Sequence, residues 1–256
     1  MQLSNLTAIS PVDGRYNKNT LQLAKYFSEY ALIKYRLKVE VEYFITLSEK
    51  KFFKADAKLK ATLRLVVKNF SEEDALQIKK TESITNHDVK AVEYFVKEKL
   101  NLLGADHLKE WIHFGLTSQD INNTAVPMLW KDAVELEYLP AVINLKKYLQ
   151  KLATAWKNIP MLARTHGQAA TPVMLGKEIM VFVERLQNQI NLFSHIPFSG
   201  KFGGATGNFN AHAVAYPKHN WVKFANEFLE NNCCYNASNT PHKLNITIRW
   251  LHILML

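Results

Sequence analysis

Residues 19–50 read NTLQLAKYFSEYALIKYRLKVEVEYFITLSEK, and this stretch decides the fold class. Leu23, Phe27, Tyr30, Ile33, Leu37, Val41, Phe44 and Leu47 recur at steps of three and four, the period of one helix face. A stripe of this length predicts one long helix laid against a core. The same period returns along the chain. A shorter helix is expected over 57–70, and a third behind Ser71-Glu72-Glu73-Asp74, a cap followed by acids in the first turn. Asn86 reads as the N-cap of a fourth, with His87 and Asp88 in its first turn and Val89, Val92 and Phe95 on its apolar side. Gly115 ends a helix, and Thr117 or Ser118 caps a long one reaching about Lys157, which Pro127 and Pro140 should kink. Thr171 and Pro172 read as N-cap and N1 of a helix to about His195, and a last amphipathic helix covers 216–230. The expected class is therefore all-α. Polar breaks fall at 10–16, 85–88, 115–120, 164–171 and 199–210, all but 85–88 containing glycine, so a site would be assembled from several helix ends.

Composition narrows the function classes. The chain has 256 residues, is 48% hydrophobic and carries a formal charge of +9. Its basic residues alternate with acids, as in Glu93-Tyr94-Phe95-Val96-Lys97-Glu98-Lys99, which reads as solvated helix faces, not a nucleic-acid surface. A basic balance also suits a small substrate bearing phosphate and carboxylates. No apolar run approaches the ~20 residues of a membrane span, and residues 1–16 lack the apolar core of a signal peptide. Cys233 and Cys234 are adjacent, forming neither a zinc pattern nor a disulfide framework, which fits a reducing cytoplasm.

The breaks hold the residues with chemistry. Arg164-Thr165-His166-Gly167-Gln168 places an imidazole on a loop, where such a group can aim at a substrate and exchange protons near neutral pH. Arg15, in Ser10-Pro11-Val12-Asp13-Gly14-Arg15-Tyr16, offers a planar fork that matches phosphate or carboxylate. His87 and Asp88 sit where free backbone N–H groups favour anions, and the Thr117 and Ser118 hydroxyls sit at another such start. Taken singly, Arg15 reads first as a surface anchor and Thr117 and Ser118 as an ordinary cap. The glycine-rich 199–210 segment has neither a phosphate loop nor a dinucleotide fingerprint.

Together, S-P-V-D-G-R-Y, T-N-H-D-V-K-A-V-E-Y-F, T-S-Q-D-I-N-N, R-T-H-G-Q-A-A-T-P and G-N-F-N-A-H resemble the fumarase/aspartase superfamily. Within it they are most similar to the adenylosuccinate lyase family in its bacterial form, in the family's order, from about residue 3 to 236. The resemblance implies β-elimination of fumarate from adenylosuccinate, giving AMP, and from the succinylaminoimidazole carboxamide ribotide intermediate of purine synthesis. It implies His166 as general acid with His87 assisting. Arg15 and Tyr16 would meet the phosphate end, Asn86, His87 and Asp88 the substrate, and Thr117 and Ser118 a succinyl carboxylate. No metal or organic cofactor is implied. The implied partners are a purine nucleotide substrate and sister subunits of a homotetramer, with no nucleic acid and no membrane. The expected domains are an N-terminal helical domain (1–115), the start of an incomplete central bundle (116–236) and a non-family tail (237–256). Another fumarate-releasing lyase, or a non-catalytic helical interaction protein, are the competing readings.

The family's base is a serine on a loop ending M-P-x-K-x-N-P, and that loop is absent from this sequence. The chain is therefore expected to be a shortened lyase, inactive alone. Its end also departs from the family's T-Q-I-E-P-H-D. His242-Lys243-Leu244-Asn245 written CAC AAA TTG AAC, read with a preceding A, becomes Thr-Gln-Ile-Glu, and Ile246-Thr247-Ile248 can continue as His-His-Asp. A shifted reading frame is therefore the expected origin of the tail from about residue 237. Sequencing codons 239–248 of the gene tests this. The shifted frame should spell that string, and codons unable to do so end the idea.

Overall fold

The computed structural model describes residues 2–232 and 236–237. Cys233, Cys234 and the tail from 238 onward, with its His242–Asn245 string, lie outside the described residues. The chain forms two compact units, one of Met1–Lys131 with Phe198–Leu256 and one of Asp132–Pro197.

In chain order the first unit begins with α1 (Asp13–Thr20), a 3-10 turn (Leu21–Leu23), α2 (Ala24–Phe27), α3 (Glu29–Glu49), α4 (Ala57–Lys68), α5 (Glu72–Thr85) and α6 (Asp88–Leu102). A second 3-10 turn (Asp106–Trp111) leads to α7 (Ser118–Ala133). The second unit holds a π-helical turn (Val134–Tyr138), α8 (Leu139–Ala155), strands β1 (Pro160–Thr165) and β2 (Gln168–Met174), and α9 (Leu175–Ser194). The chain then returns to the first unit through β3 (Ser199–Gly200), α10 (Asn210–Ala215), α11 (Trp221–Asn232) and β4 (Asn236–Ala237), which pairs parallel with β3.

The helix expected over 19–50 is interrupted at Ser28. Its backbone is extended, its Oγ accepts from the Ala31 N–H and donates to the Ala24 carbonyl, and it closes one helix while capping the next. From Glu29 the helix runs unbroken for 21 residues, and it is buried on two sides. Ile33, Leu37, Val41 and Phe44 join Phe70, Ile78, Val92, Phe95 and Leu100 in one apolar cluster. Val39, Tyr43 and Leu47 join Ile121, Met128, Trp221, Phe224 and Phe228 in another. The second face escapes the periodic pattern because buried Arg36 and Glu40 interrupt it.

Other expectations are met or corrected locally. Ser71 and Asp74 form a reciprocal capping box at α5. The cap of α6, however, is His87, not Asn86. Asn86 takes the left-handed conformation (φ 52°, ψ 33°) that ends α5, a state asparagine tolerates, while the His87 Nδ1 accepts from the Lys90 N–H. Pro127 lies inside α7. Pro140 falls in the first turn of α8, directly after the π turn, so the expected kink takes the form of a widened turn. The last helix begins at Trp221, five residues later than its apolar pattern suggested.

The largest departure lies in the second unit. Residues 160–174 form an antiparallel hairpin, not a loop followed by a helix cap at Thr171 and Pro172. His166 (φ 51°) and Gly167 (φ 76°) are its two turn residues, both left-handed, as the twist of a tight hairpin demands. Pro172 is accommodated because a two-stranded ribbon has a free edge on each strand, so its missing N–H costs no ladder bond there.

Helices α8 and α9 pack against each other where Gly176 approaches α8 closely. A Cβ there would lie 2.2 Å from the Ala153 carbonyl oxygen and 2.6 Å from the Lys157 Cα. The Gly176 N–H itself donates to the Trp156 carbonyl at 3.0 Å. Gly176→Ala should therefore force the two helices apart and destabilise this unit by about 1–3 kcal/mol, as overpacking typically does. Faster amide exchange confined to α8 and α9 would register it, and unchanged protection would refute the close approach.

Candidate active site

The first unit's site is built on the start of α7. Asp120, three residues after Thr117, is fully buried, and its Oδ2 accepts from the Thr117 N–H at 3.0 Å. The same carboxylate reaches across the chain. Oδ1 accepts from Lys201 Nζ and from the Gly203 N–H, both at 3.0 Å, and Oδ2 accepts from the Gly204 N–H at 2.9 Å. Lys201 is itself buried and also donates to the Gly204 carbonyl at 2.5 Å. The glycine-rich segment is thus a fixed part of the Thr117–Ser118 turn. A buried pair satisfied this fully is stable only while both partners remain. Asp120→Ala should cost about 3–5 kcal/mol in urea unfolding, and Asp120→Ala with Lys201→Met distinctly less. Equal losses for the single and double variants would contradict the pairing.

Two helix starts meet above this turn. The His87 Nδ1 is taken up by the Lys90 N–H, so the neutral ring carries its proton on Nε2, 3.3 Å from the Ser118 Oγ. Asp88 Oδ1 accepts from the Val89 N–H at 2.8 Å, and its Oδ2 pairs with Arg36 Nη2 at 2.6 Å. Burial pushes the Asp88 carboxyl up, but Arg36 and the Val89 N–H outweigh this, and the net direction is down. Arg36 Nε donates to Asn122 Oδ1 at 2.9 Å, tying α6 to α7. His87 is exposed and Thr117 and Ser118 are half-buried, so the pair faces solvent.

The turn before α7 is gripped from α3. His113, left-handed at φ 59°, places Nδ1 2.5 Å from Glu40 Oε1. Burial would lower the His113 pKa, yet the bond to Glu40 and its charge prevail and raise it. The Tyr43 hydroxyl donates to the Phe114 carbonyl at 2.7 Å and so accepts from His212 Nε2 at 3.0 Å. The His212 ring leaves no room beside Gly115, where a Cβ would lie 2.8 Å away. His212 Nδ1 is buried with no hydrogen-bond partner among the described residues, and desolvation lowers the pKa of the group to about 4.

This depression sets a pH dependence. In the unfolded chain an imidazole protonates near 6.5, before the folded one does near 4. Its contribution to stability is therefore complete above 6.5 and is lost as pH falls toward 4, by about 3 kcal/mol. His212→Phe should flatten that part of a stability–pH curve, and an unchanged slope would refute the assignment.

The remaining expected site residues lie elsewhere. Arg15 and Tyr16 stand exposed on α1, within a segment expected to be irregular, with the guanidinium 5.5 Å from the Tyr16 ring centroid. Asp13 fixes the turn before them by accepting from the Ile9 and Ser10 N–H groups at 2.5 and 2.8 Å. Asn86 is exposed beside His87. His166 is exposed at the tip of the second unit's hairpin, where Arg164 Nη1 donates to the Gly167 carbonyl at 3.4 Å. The supporting residues Asp120, Lys201, Arg36, Glu40, Tyr43 and His212 are not picked out by the sequence reading. For Asp120 a signal existed, since Thr117-x-x-Asp120 has capping-box spacing.

A helical protein with polar helix starts gathered around one turn defines a class, and comparison agrees. A family model described as "Lyase" matches residues 14–244, and the chain belongs to that lyase family. Among its relatives, a protein of Dictyostelium discoideum named adenylosuccinate lyase is 54% identical over 239 residues, covering 90% of this chain and 51% of the relative. One of Escherichia coli K12 with the same name is 44% identical over 236 residues, again 90% of this chain and 51% of the relative. The chain spans about half the length of these curated relatives. In fold it is similar to a 3-carboxy-cis,cis-muconate lactonizing enzyme from Pseudomonas putida, with a TM-score of 0.71 at 18% identity, covering 91% of this chain and 52% of that one. A fumarate lyase from Mesorhizobium sp. BNC1 gives 0.69 at 19% identity, covering 85% and 49%.

Proposed function

We propose that this chain supplies one half of an adenylosuccinate-cleaving C–N lyase. The observation that carries the reading is the meeting of the α6 and α7 starts, where the His87 Nε2 and the Ser118 Oγ lie 3.3 Å apart at the positive ends of two helix dipoles. The likeness to relatives named adenylosuccinate lyase supports it.

In this reading Thr117 and Ser118 hold a succinyl carboxylate, and Asn86, His87 and Asp88 line the adjoining part of the substrate. Arg15 and Tyr16 meet the phosphate. A base supplied from outside this sequence removes the proton beside the carboxylate. The C–H electron pair then forms the double bond of fumarate as the C–N bond breaks. His166 gives its proton to the departing nitrogen, and His87 assists. The products are fumarate and AMP, or the corresponding carboxamide ribotide from the second substrate. No cofactor takes part.

The enzyme works as a homotetramer in the cytoplasm, with residues 116–236 opening the shared bundle after an N-terminal domain of 1–115. Exposed Leu136, Tyr138, Leu145, Tyr148, Phe182 and Leu192 on the second unit suit burial against sister subunits.

A hybrid tests this reading. Residues 1–236 joined to the second half of the Dictyostelium relative should release fumarate from adenylosuccinate, and His166→Ala in the hybrid should lower kcat about 10²–10⁴-fold. The 256-residue chain alone should release none. A folded hybrid active only on argininosuccinate or aspartate, or one indifferent to His166→Ala, would overturn the proposal.

A further inference from the structure

The pairing of His87 with Ser118 needs something to hold two helix starts in register. Neither residue can do so itself. His87 is exposed and already caps α6, and Ser118 opens a different helix. Beneath them lies Arg36 of α3, with a side chain only 10% exposed. Its guanidinium uses two different nitrogens. Nη2 meets Asp88 on α6 at 2.6 Å, and Nε donates to Asn122 on α7 at 2.9 Å. Asp88 directly follows His87 in sequence, and Asn122 lies one helical turn beyond Ser118 on the same helix. One rigid, planar cation on a third helix therefore fixes the spacing between the two starts.

We infer that Arg36 is a positioning residue for the site, setting the His87–Ser118 distance through Asp88 and Asn122 without touching substrate. This rests on the functional reading above, but its geometric core can be tested without it. A lysine would keep the charge and could still neutralise Asp88. Its single ammonium lacks the fork and could not hold Asn122 in the same geometry. If Arg36 merely neutralises a half-buried carboxylate, Arg36→Lys should behave as the parent. If it sets register, Arg36→Lys should fail in the site while remaining folded.

His87 provides an internal control. Its Nδ1 bond to the Lys90 N–H is local to α6, whereas its Nε2 bond to Ser118 spans two helices. In proton–nitrogen correlation spectra of the 256-residue chain, Arg36→Lys and Asn122→Ala should shift the His87 Nε2 signal and speed its proton exchange. The Nδ1 signal should stay in place. In the hybrid enzyme, Arg36→Lys should lower kcat/KM at least tenfold with a thermal midpoint close to the parent's, and Asn122→Ala should reproduce part of that loss. An unmoved Nε2 signal, or both ring nitrogens moving together, would overturn the positioning role. So would a fully active Arg36→Lys hybrid. A parent hybrid that releases no fumarate defeats the functional reading alone, because the spectra still decide the clamp.

Discussion

Asp120 is the constraint on which the first unit's site depends. One buried carboxylate, at the first turn of α7, receives a lysine ammonium and three backbone N–H groups. Those donors come from residues 117 and 201–204, segments separated by the whole second unit. A charge in this position is tolerable because every oxygen is occupied and a counter-charge is in contact. The arrangement also converts a glycine-rich connector, which left alone would be entropically loose, into a fixed wall beside Thr117 and Ser118. The site's order is thus held by electrostatics inside a mostly apolar core.

Helix α3 supplies the complementary half of that order. Arg36, Glu40 and Tyr43 follow one another at steps of four and three, so they share a face. Arg36 bridges α6 and α7, Glu40 holds His113, and Tyr43 holds the Phe114 carbonyl and His212. A polar ladder inside an otherwise apolar helix is costly unless each rung is satisfied. Here each rung ends on the turn or the helix starts that carry the proposed chemistry. Glu40 Oε2 is the exception, buried with no hydrogen-bond partner among the described residues.

This ladder explains how far the sequence could be read. The helices were legible because apolar spacing of three and four directly reports a buried face, as for Ile33, Leu37, Val41 and Phe44. The Ser71 cap was legible because its geometry is local. The expected site residues rest on family strings, and two of them, His87 and Ser118, are neighbours in the fold. What stayed hidden was non-local. A buried Arg36 or Lys201 looks like any surface cation until its partner, 52 or 81 positions away, is placed beside it. The hairpin around His166 was missed for another reason. Thr171-Pro172 satisfies the rules of a helix start, and His166-Gly167 lacks the Asn-Gly or Asp-Gly signature that marks a two-residue hairpin turn.

The burial of α3 on two sides also bears on how the chain is made. The rings of Tyr43 and Phe228 lie 5.7 Å apart, though about 185 residues separate them in sequence. Chains emerge from the ribosome in sequence order, at roughly 5–20 residues per second. The face of α3 bearing Val39, Tyr43 and Leu47 must therefore wait on the order of ten to forty seconds for α11 to cover it. During that interval α4 to α6 can already close over the opposite face, because their partners follow within about 60 residues. The nascent protein thus passes through a stage with one core completed and an apolar strip open, a stage suited to chaperone capture.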